Sequence, residues 1–315
     1  MKSSFRSIYR IGKQTLIMIL VLFLSACSFI YKTKIIDGFE VNQTDLIAAS
    51  RQFDRVVIQR LFASDQVYQV SSEEELALLI VKKLEVKENT ITYISDQPLN
   101  LHHVYLYVES LFPESFSIQA GEITYKDEKG NDFIKTAFVE VIYDHVHLTS
   151  ASLISQQILL DLDVSNLDDR SKIKAIHDYL VTTVSYDESV LSLDLSVYQQ
   201  HPAFSSYGAL FNQSAVCSGY ARAFMLLAHQ LNIPTMMISS QEILHAWNLV
   251  YVDGDWLYLD VTWNDLSDNN TIAYTYYLDD FDEFVRDGLH IFDQASESTL
   301  TQQQFEAFAR LAFGR

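Results

Sequence analysis

A chain of 315 residues is long enough for two modest domains, and its 49% hydrophobic residues exclude a mainly disordered protein. The formal net charge of −19 excludes nucleic acid and anionic lipid headgroups as favoured partners, because both are themselves negatively charged. The chain has two cysteines, Cys27 and Cys217, which excludes a disulfide-rich framework.

The N-terminal segment 1–26 has the pattern of a bacterial lipoprotein signal peptide. A basic stretch precedes the apolar run 15–24, which is shorter than the roughly 20 residues that a transmembrane helix needs. The sequence LSAC at 24–27 then resembles a lipobox, whose cysteine carries a diacylglyceryl group after export. Two acyl chains suffice for stable anchoring, so we expect lipidation of Cys27 and an extracytoplasmic protein anchored to the bacterial cell membrane. An ordinary secretory signal or a signal anchor is the alternative.

Residues 27–150 predict a smaller α+β domain whose role stays open. The hydrophobic pattern predicts a helix begun by a capping box of Ser72 and Glu75, further helices over 44–62 and 102–112, and strands at 90–94, 115–125 and 132–143. Residues 127–131 form the predicted turn between the last two strands. His145 and His147 alternate as on a strand and share a face. No third ligand stands at a useful spacing, so we expect no metal there.

Residues 151–315 predict an α+β domain in which helices precede several antiparallel strands. The first helix begins near Asp168 and runs to about 184, and a later helix begins at Cys217 and ends before Pro234. An irregular stretch is expected over 185–206. Strands are expected at 235–239, 245–252, 255–263 and 272–278. Four oxygen-bearing residues could bind calcium, Asp265, Asp268, Asn269 and Asn270. Their spacing is not that of an EF-hand loop, so we expect a solvated turn instead.

Cys217 is the candidate nucleophile. It lies in the first turn of its predicted helix, where free backbone N–H groups and the positive end of the helix dipole stabilise a thiolate. The thiolate, rather than the thiol, attacks acyl carbons. A single cysteine on a helix is more often buried and inert, so this interpretation requires a base nearby.

A predicted hairpin supplies that base. The dipeptide DG at 253–254 predicts a two-residue type I′ turn, and in that register His245 opposes Thr262. Asp260 lies two residues before Thr262 and therefore points to the same face as His245. Both faces of the hairpin are apolar, so Asp260 is poorly solvated and needs a partner. The residues thus predict a triad of Cys217, His245 and Asp260.

The second half of the chain carries six motifs, IHDYL at 176–180, YD at 186–187, YGAL at 207–210, AVCSGYA at 215–221, HAWN at 245–248 and DVTWND at 260–265. Together these motifs resemble the transglutaminase-like superfamily. The resemblance covers about residues 165–290. It implies a papain-like core in residues 151–315 and a catalytic triad in the chain order Cys217, His245, Asp260. It implies no cofactor and no metal, and it does not imply calcium dependence.

The resemblance also implies two-step acyl transfer on protein or peptide substrates, which the expected lipid anchor would place at the cell surface. Cys217 attacks a carboxamide of protein glutamine, His245 moves the proton, and the thioester passes to an amine or to water. The Cys217 backbone N–H is the expected oxyanion donor, with Gln213 or Tyr207 as a second. A cysteine peptidase or amidase of the same fold, and a binding module without turnover, are the alternatives. The three tryptophans are expected in the core, at Trp247, Trp256 and Trp263.

Overall fold

The structure is a computed structural model, and it describes residues 30–36, 67–126, 132–192, 201–266 and 272–315. Side chains are described for 67–122, 136–190, 201–266 and 272–315. The predicted signal peptide, Cys27, the helix over 44–62 and the turn 127–131 lie outside these residues, as do Asp268, Asn269 and Asn270. Among the described helices, none is both long and apolar enough to cross a bilayer.

The first of two compact units contains a five-stranded sheet. Its strands are β1 (Ile30–Ile36), β2 (Val67–Gln69), β3 (Thr90–Ile94), β4 (Phe116–Lys126) and β5 (Asp132–Tyr143), in the order β1-β4-β5-β3-β2. Parallel pairs join β1 to β4 and β2 to β3, whereas β3 is antiparallel to β5. Two helices connect strands along the chain, α1 (Glu73–Glu85) and α2 (Leu101–Leu111).

Helix α1 begins where the capping pattern predicts. The Ser72 hydroxyl oxygen accepts the N–H of Glu75 at 3.2 Å, and the Glu75 carboxylate accepts the N–H of Ser71 at 2.8 Å. The N–H that the Glu75 carboxylate accepts therefore belongs to Ser71, one residue before the expected donor Ser72. The predicted strands at 90–94, 115–125 and 132–143 and the helix at 102–112 are confirmed to within one residue.

The second unit comprises Glu109–Phe116 and Tyr143–Arg315. Its helices are α3 (His145–Asp161), α4 (Asp169–Thr183), α5 (Cys217–Gln230), α6 (Val261–Asn264), α7 (Phe281–Phe284) and α8 (Gln302–Phe313). Two short strands form a parallel pair, β6 (Ser185–Tyr186) and β7 (Ser214–Ala215). The main sheet is antiparallel in the order β11-β10-β9-β8, with β8 (Thr235–Ser240), β9 (His245–Val252), β10 (Asp255–Leu259) and β11 (Tyr277–Asp279).

Helix α5 is the central element of this unit. It lies against β8 and β9 and also contacts α3 and α4. Tyr220, Phe224 and Leu227 are fully buried along it, as expected for a helix that is covered on most sides. The predicted start of this helix at Cys217 is confirmed, and so is the helix predicted from Asp168, whose carboxylate caps α4 by accepting the N–H of Ser171.

The strand predicted for His145 and His147 is wrong. These residues form the first turn of α3, which Asp144 caps by accepting the N–H groups of Val146 and His147 at 2.8 and 2.9 Å. Two residues apart on a helix, the histidines do not share a face. The helix escaped prediction because two of its three buried residues are small, Ala151 and Ser155, while apolar residues such as Leu153 are exposed, so no clear stripe exists. The helix also crosses residue 150, where we placed a domain boundary.

The strand predicted over 255–263 is too long. Pairing with β9 ends at Leu259, and Asp260 then caps the short helix α6 by accepting the N–H of Trp263 at 3.1 Å. The strand predicted over 272–278 is likewise reduced to β11, with Ile272 making a single bridge to Asp265. An aspartate at a strand end competes for the backbone in this way because its short side chain bonds nearby N–H groups.

The backbone of Ala203 closely approaches the start of α5 at Gly219, and a substitution of Gly219 tests this contact. A Cβ at this position would lie 2.3 Å from the Ala203 carbonyl oxygen, which already accepts the N–H of Val216 at 3.0 Å. We expect Gly219→Ala to destabilise the protein by about 2 kcal/mol, because overpacking outweighs the gain in helix propensity. Urea unfolding measures this change.

Ser218→Ala is the matched control from the same helical turn. The Ser218 hydroxyl is buried without a hydrogen-bond partner among the described residues, so its removal should leave stability unchanged or raise it slightly. Equal stability of the two variants would contradict the close approach.

Candidate active site

Cys217 is the first residue of α5, and its side chain is partly exposed. The preceding Val216 is extended and provides no side-chain cap, while its carbonyl oxygen accepts the N–H of Gly219 at 2.9 Å. The backbone N–H of Cys217 lies near the hydroxyl group of Tyr186 on β6, at the positive end of the helix dipole. A thiolate and an oxyanion would both be stabilised at this helix start.

His245 is the first residue of β9, and its backbone is fixed by a loop that Asp293 holds. The Asp293 carboxylate accepts the N–H groups of Gln241 and Glu242, each at 2.9 Å. Leu244, directly before His245, has a φ of 53°, in the left-handed region that is unfavourable for leucine. The tight loop therefore turns the chain sharply into the strand that presents the imidazole.

The predicted contact between His245 and Asp260 is present. Nε2 of His245 lies 2.6 Å from Oδ2 of Asp260, and both side chains are buried. The register of β9 and β10 is the predicted one, with Val252 opposite Asp255. The expectation that Thr262 pairs with His245 across the hairpin is wrong, because α6 begins before Thr262 could pair.

The Cys217 side chain lies close enough to the same imidazole to help raise its pKa. Because Asp260 occupies Nε2, the other ring nitrogen, Nδ1, is the one left to face the sulfur. Thiol, imidazole and carboxylate thus lie side by side in this order, which is the arrangement that activates a cysteine nucleophile. The structure brings together all three residues predicted for the site, while their catalytic roles stay a prediction.

Charge and burial shift the proton affinities of the pair in opposite directions. Burial alone would lower the pKa of His245, but the charge of Asp260, its hydrogen bond and the contact with Cys217 together raise it to about 10. Burial alone would raise the pKa of Asp260, but the charge of His245 and hydrogen bonds from His245 and His290 hold it well below its usual range. The resting pair is therefore imidazolium and carboxylate at neutral pH.

Aromatic rings enclose the His245–Asp260 pair. The His245 ring stacks on Trp263 with centroids 4.4 Å apart and an angle of 13° between the planes. Trp247 is buried on the same side, with its ring centroid 5.9 Å from that of His245. Trp247 is therefore a core residue, as expected, whereas Trp263 also holds the imidazole in place.

The two residues expected as a second oxyanion donor, Tyr207 and Gln213, make other contacts, and that role stays a prediction. Tyr207 stacks between His147 and Phe211, with ring centroids 4.1 and 4.8 Å away. Gln213 ends the turn before β7 in a left-handed conformation, and its carbonyl oxygen accepts the N–H of Ser185. Tyr186, which the sequence offered only as part of a family motif, is the residue whose hydroxyl meets the Cys217 N–H.

A fourth polar residue, His290, also reaches this site. Nε2 of His290 lies 2.9 Å from Oδ2 of Asp260, the oxygen that His245 also contacts. Sequence reasoning missed His290 because the residue is far along the chain, in a stretch without regular periodicity.

These groups are close enough to suggest a metal site. Within the described residues, His245, Asp260 and His290 bring their ligand atoms to within 4.8 Å of one another. Two ligands of one tetrahedral ion stand about 3.3 Å apart. The nitrogen–oxygen distances of 2.6 and 2.9 Å are shorter, so they describe direct hydrogen bonds.

Comparison with known proteins agrees with this geometry. Residues 156–261 match the family model of the transglutaminase-like superfamily. This region is a transglutaminase-like domain. It contains Cys217, His245 and Asp260, and it gives the protein a mixed helix and sheet fold with a transglutaminase-like core.

The relatives of this transglutaminase-like domain are distant. The kyphoscoliosis peptidase of Mus musculus is 26% identical over 152 residues, which cover 44% of this chain and 22% of the relative. The human kyphoscoliosis peptidase is 26% identical over 163 residues, covering 45% and 24%. The chain thus spans about a quarter of the length of these relatives. A crystal structure described as a TGase has a TM-score of 0.34 and 14% identity, and covers 51% of this chain and 55% of that one.

Proposed function

We propose that this protein is a transglutaminase-type cysteine acyltransferase that acts on glutamine side chains of proteins. The observation that carries the proposal is the placement of Cys217 at the start of α5 beside His245, whose imidazole is hydrogen-bonded to Asp260. The transglutaminase-like fold supports cysteine acyl transfer or proteolysis in general, and the choice of a glutamine carboxamide goes beyond it.

The chemistry proceeds in two balanced steps. The Cys217 thiolate attacks the carboxamide carbon, a carbon–sulfur bond forms, and His245 gives its proton to the departing nitrogen, which leaves as ammonia. A primary amine then attacks the thioester, His245 takes up its proton, and the thiolate is released. Asp260 keeps the imidazole oriented and stabilises its positive charge throughout. Water in place of the amine gives deamidation.

Tyr186 is the better candidate for the second oxyanion donor. Tyr186 is 40% exposed as a whole residue, but desolvation of its hydroxyl end, and then the negative charges at Cys217 and Asp260, raise its pKa above the ordinary value, so the phenol keeps its proton. In the free protein its hydroxyl group lies near the Cys217 N–H. When a substrate oxygen takes that place, the N–H and the phenol O–H can both donate to it.

Membrane anchoring through a lipid on Cys27 is part of the proposal. What supports it is the pattern of basic residues, apolar run and small residues before the cysteine. The strongly negative chain makes a basic membrane-binding patch a poor substitute for the lipid. Substrates would then be proteins or peptides outside the cytoplasm.

A cysteine peptidase is the second candidate, favoured by the similarity to the kyphoscoliosis peptidases. The same thiolate would attack a peptide bond, and water would release the product. The two reactions differ in the bond that breaks and in the acceptor, so their products distinguish them.

We expect the full-length protein to join a biotinylated primary amine to a glutamine-rich protein, with release of ammonia. The measurement is biotin incorporation and ammonia release, with peptide mapping of the acceptor protein. Cys217→Ala is the control and should remove both signals. Peptide fragments of the acceptor protein without incorporated amine would support the peptidase instead. An acceptor protein that is neither cleaved nor modified would support a binding module.

A further inference from the structure

We propose that His290 is a positioning residue of the active site, which holds the Asp260 carboxylate for His245 through a second hydrogen bond. This inference rests on the proposed function, since it concerns the same triad. It extends the working group of the site from three residues to four. The added residue lies outside the segment 156–261 that matches the family model.

The Asp260 carboxylate is fixed by donors on both oxygens. Oδ2 receives hydrogen bonds from Nε2 of His245 at 2.6 Å and Nε2 of His290 at 2.9 Å. Oδ1 accepts the backbone N–H of Trp263 at 3.1 Å. A buried carboxylate with three donors has one favourable orientation, and that orientation points Oδ2 at His245.

His290 is built to act as a neutral donor. Its side chain has no exposed surface, and burial lowers its pKa despite the neighbouring carboxylate. Its other ring nitrogen, Nδ1, is buried without a hydrogen-bond partner among the described residues. The single proton of the neutral ring therefore belongs on Nε2, where it is given to Asp260.

Aromatic packing fixes the His290 ring in this orientation. Its centroid lies 3.9 Å from that of Phe284, 4.2 Å from Trp263, 4.6 Å from Tyr276 and 5.3 Å from Trp247. Such a pocket leaves the imidazole little freedom to rotate. The donor is therefore already in place when His245 moves a proton, which is how a supporting residue contributes to rate without touching substrate.

The test compares two substitutions that differ in the donor. His290→Phe fits the aromatic pocket but removes the N–H, whereas His290→Gln keeps an N–H donor of similar reach. We expect His290→Phe to lower kcat of amine incorporation about 10- to 100-fold with KM unchanged, as for loss of an outer hydrogen bond to a site. His290→Gln should keep kcat within about threefold. Should His290→Phe fail to fold, His290→Met takes its place.

The rate of Cys217 alkylation by iodoacetamide tests the inference without any substrate. It should fall with His290→Phe and recover with His290→Gln, read on the peptide that carries Cys217 so that Cys27 does not interfere. An alkylation rate that is unchanged in His290→Phe would overturn the positioning role. An equal loss of alkylation rate in both variants, at unchanged thermal stability, would overturn it as well. Failure of amine incorporation by the unaltered protein would instead count against the proposed function alone.

Discussion

Cys217→Ala is expected to lower turnover at least about 10³-fold, because no other group in the site can form the thioester. The fold should be kept. The Cys217 side chain packs against a small cluster of Ala221, Met237 and Ala246, and it is partly exposed. Its truncation to alanine should cost less than about 1 kcal/mol of unfolding free energy. Amine incorporation and urea unfolding measure the two effects.

Two companion variants sharpen this prediction. Cys217→Ser keeps the shape of the side chain but provides a poorer nucleophile, so it should be nearly as inactive as Cys217→Ala. Ser218→Ala, one residue further along α5, should keep normal activity because its hydroxyl contacts none of the reacting groups. Turnover that survives in Cys217→Ala would exclude a thioester on this residue and leave Cys217, His245 and Asp260 without their proposed role.

The central geometry of the site could be predicted because it depends on local rules. The turn at 253–254 requires residues that tolerate positive φ, and Asp253 and Gly254 adopt 56° and 97°. Once that turn is set, the alternation of side chains brings His245 and Asp260 to one face. The start of α5 could also be predicted, because Cys217 begins a run of apolar residues at helical spacing that ends before Pro234.

The errors arose where side chains compete with the backbone pattern. Asp260 has the sequence context of a strand, but its carboxylate caps α6 and ends the strand early. Helix α3 lacks an apolar stripe, because Ala151, Ser155 and Ile158 are buried while Val146 and Leu153 are exposed. Tertiary packing alone decides such segments, so periodicity in the sequence gives no reliable signal for them.

The supporting residues of the site lay beyond prediction for a different reason. Tyr186 and His290 reach Cys217 and Asp260 from positions about 30 residues away along the chain. Neither stands at a spacing that secondary structure would convert into a contact. Only the three-dimensional packing of the aromatic pocket shows that His290 must point inward, since a histidine in this stretch could equally have been exposed.

Asp260→Asn is expected to lower kcat about 10²- to 10⁴-fold and to move the alkaline limb of activity to lower pH. The charge of Asp260 is the main reason that the pKa of His245 rises to about 10. Without that charge the pKa should fall towards the ordinary value of about 6.5, so the imidazolium that protonates the leaving group is lost at a lower pH. A pH profile of kcat/KM for both proteins measures the shift.

The unfolding free energy should also depend on pH through the His245–Asp260 pair. A His245 pKa raised above its unfolded value stabilises the folded protein fully below about pH 6.5, and this contribution is lost as pH rises through about 10. The difference in unfolding free energy between the unaltered protein and Asp260→Asn should therefore shrink over that range. The amide of the variant has one oxygen, so it can serve the helix α6 cap or the imidazole, but not both. An alkaline limb that stays in place would show that Asp260 does not govern the charge of His245, and the two residues would then not function as a pair.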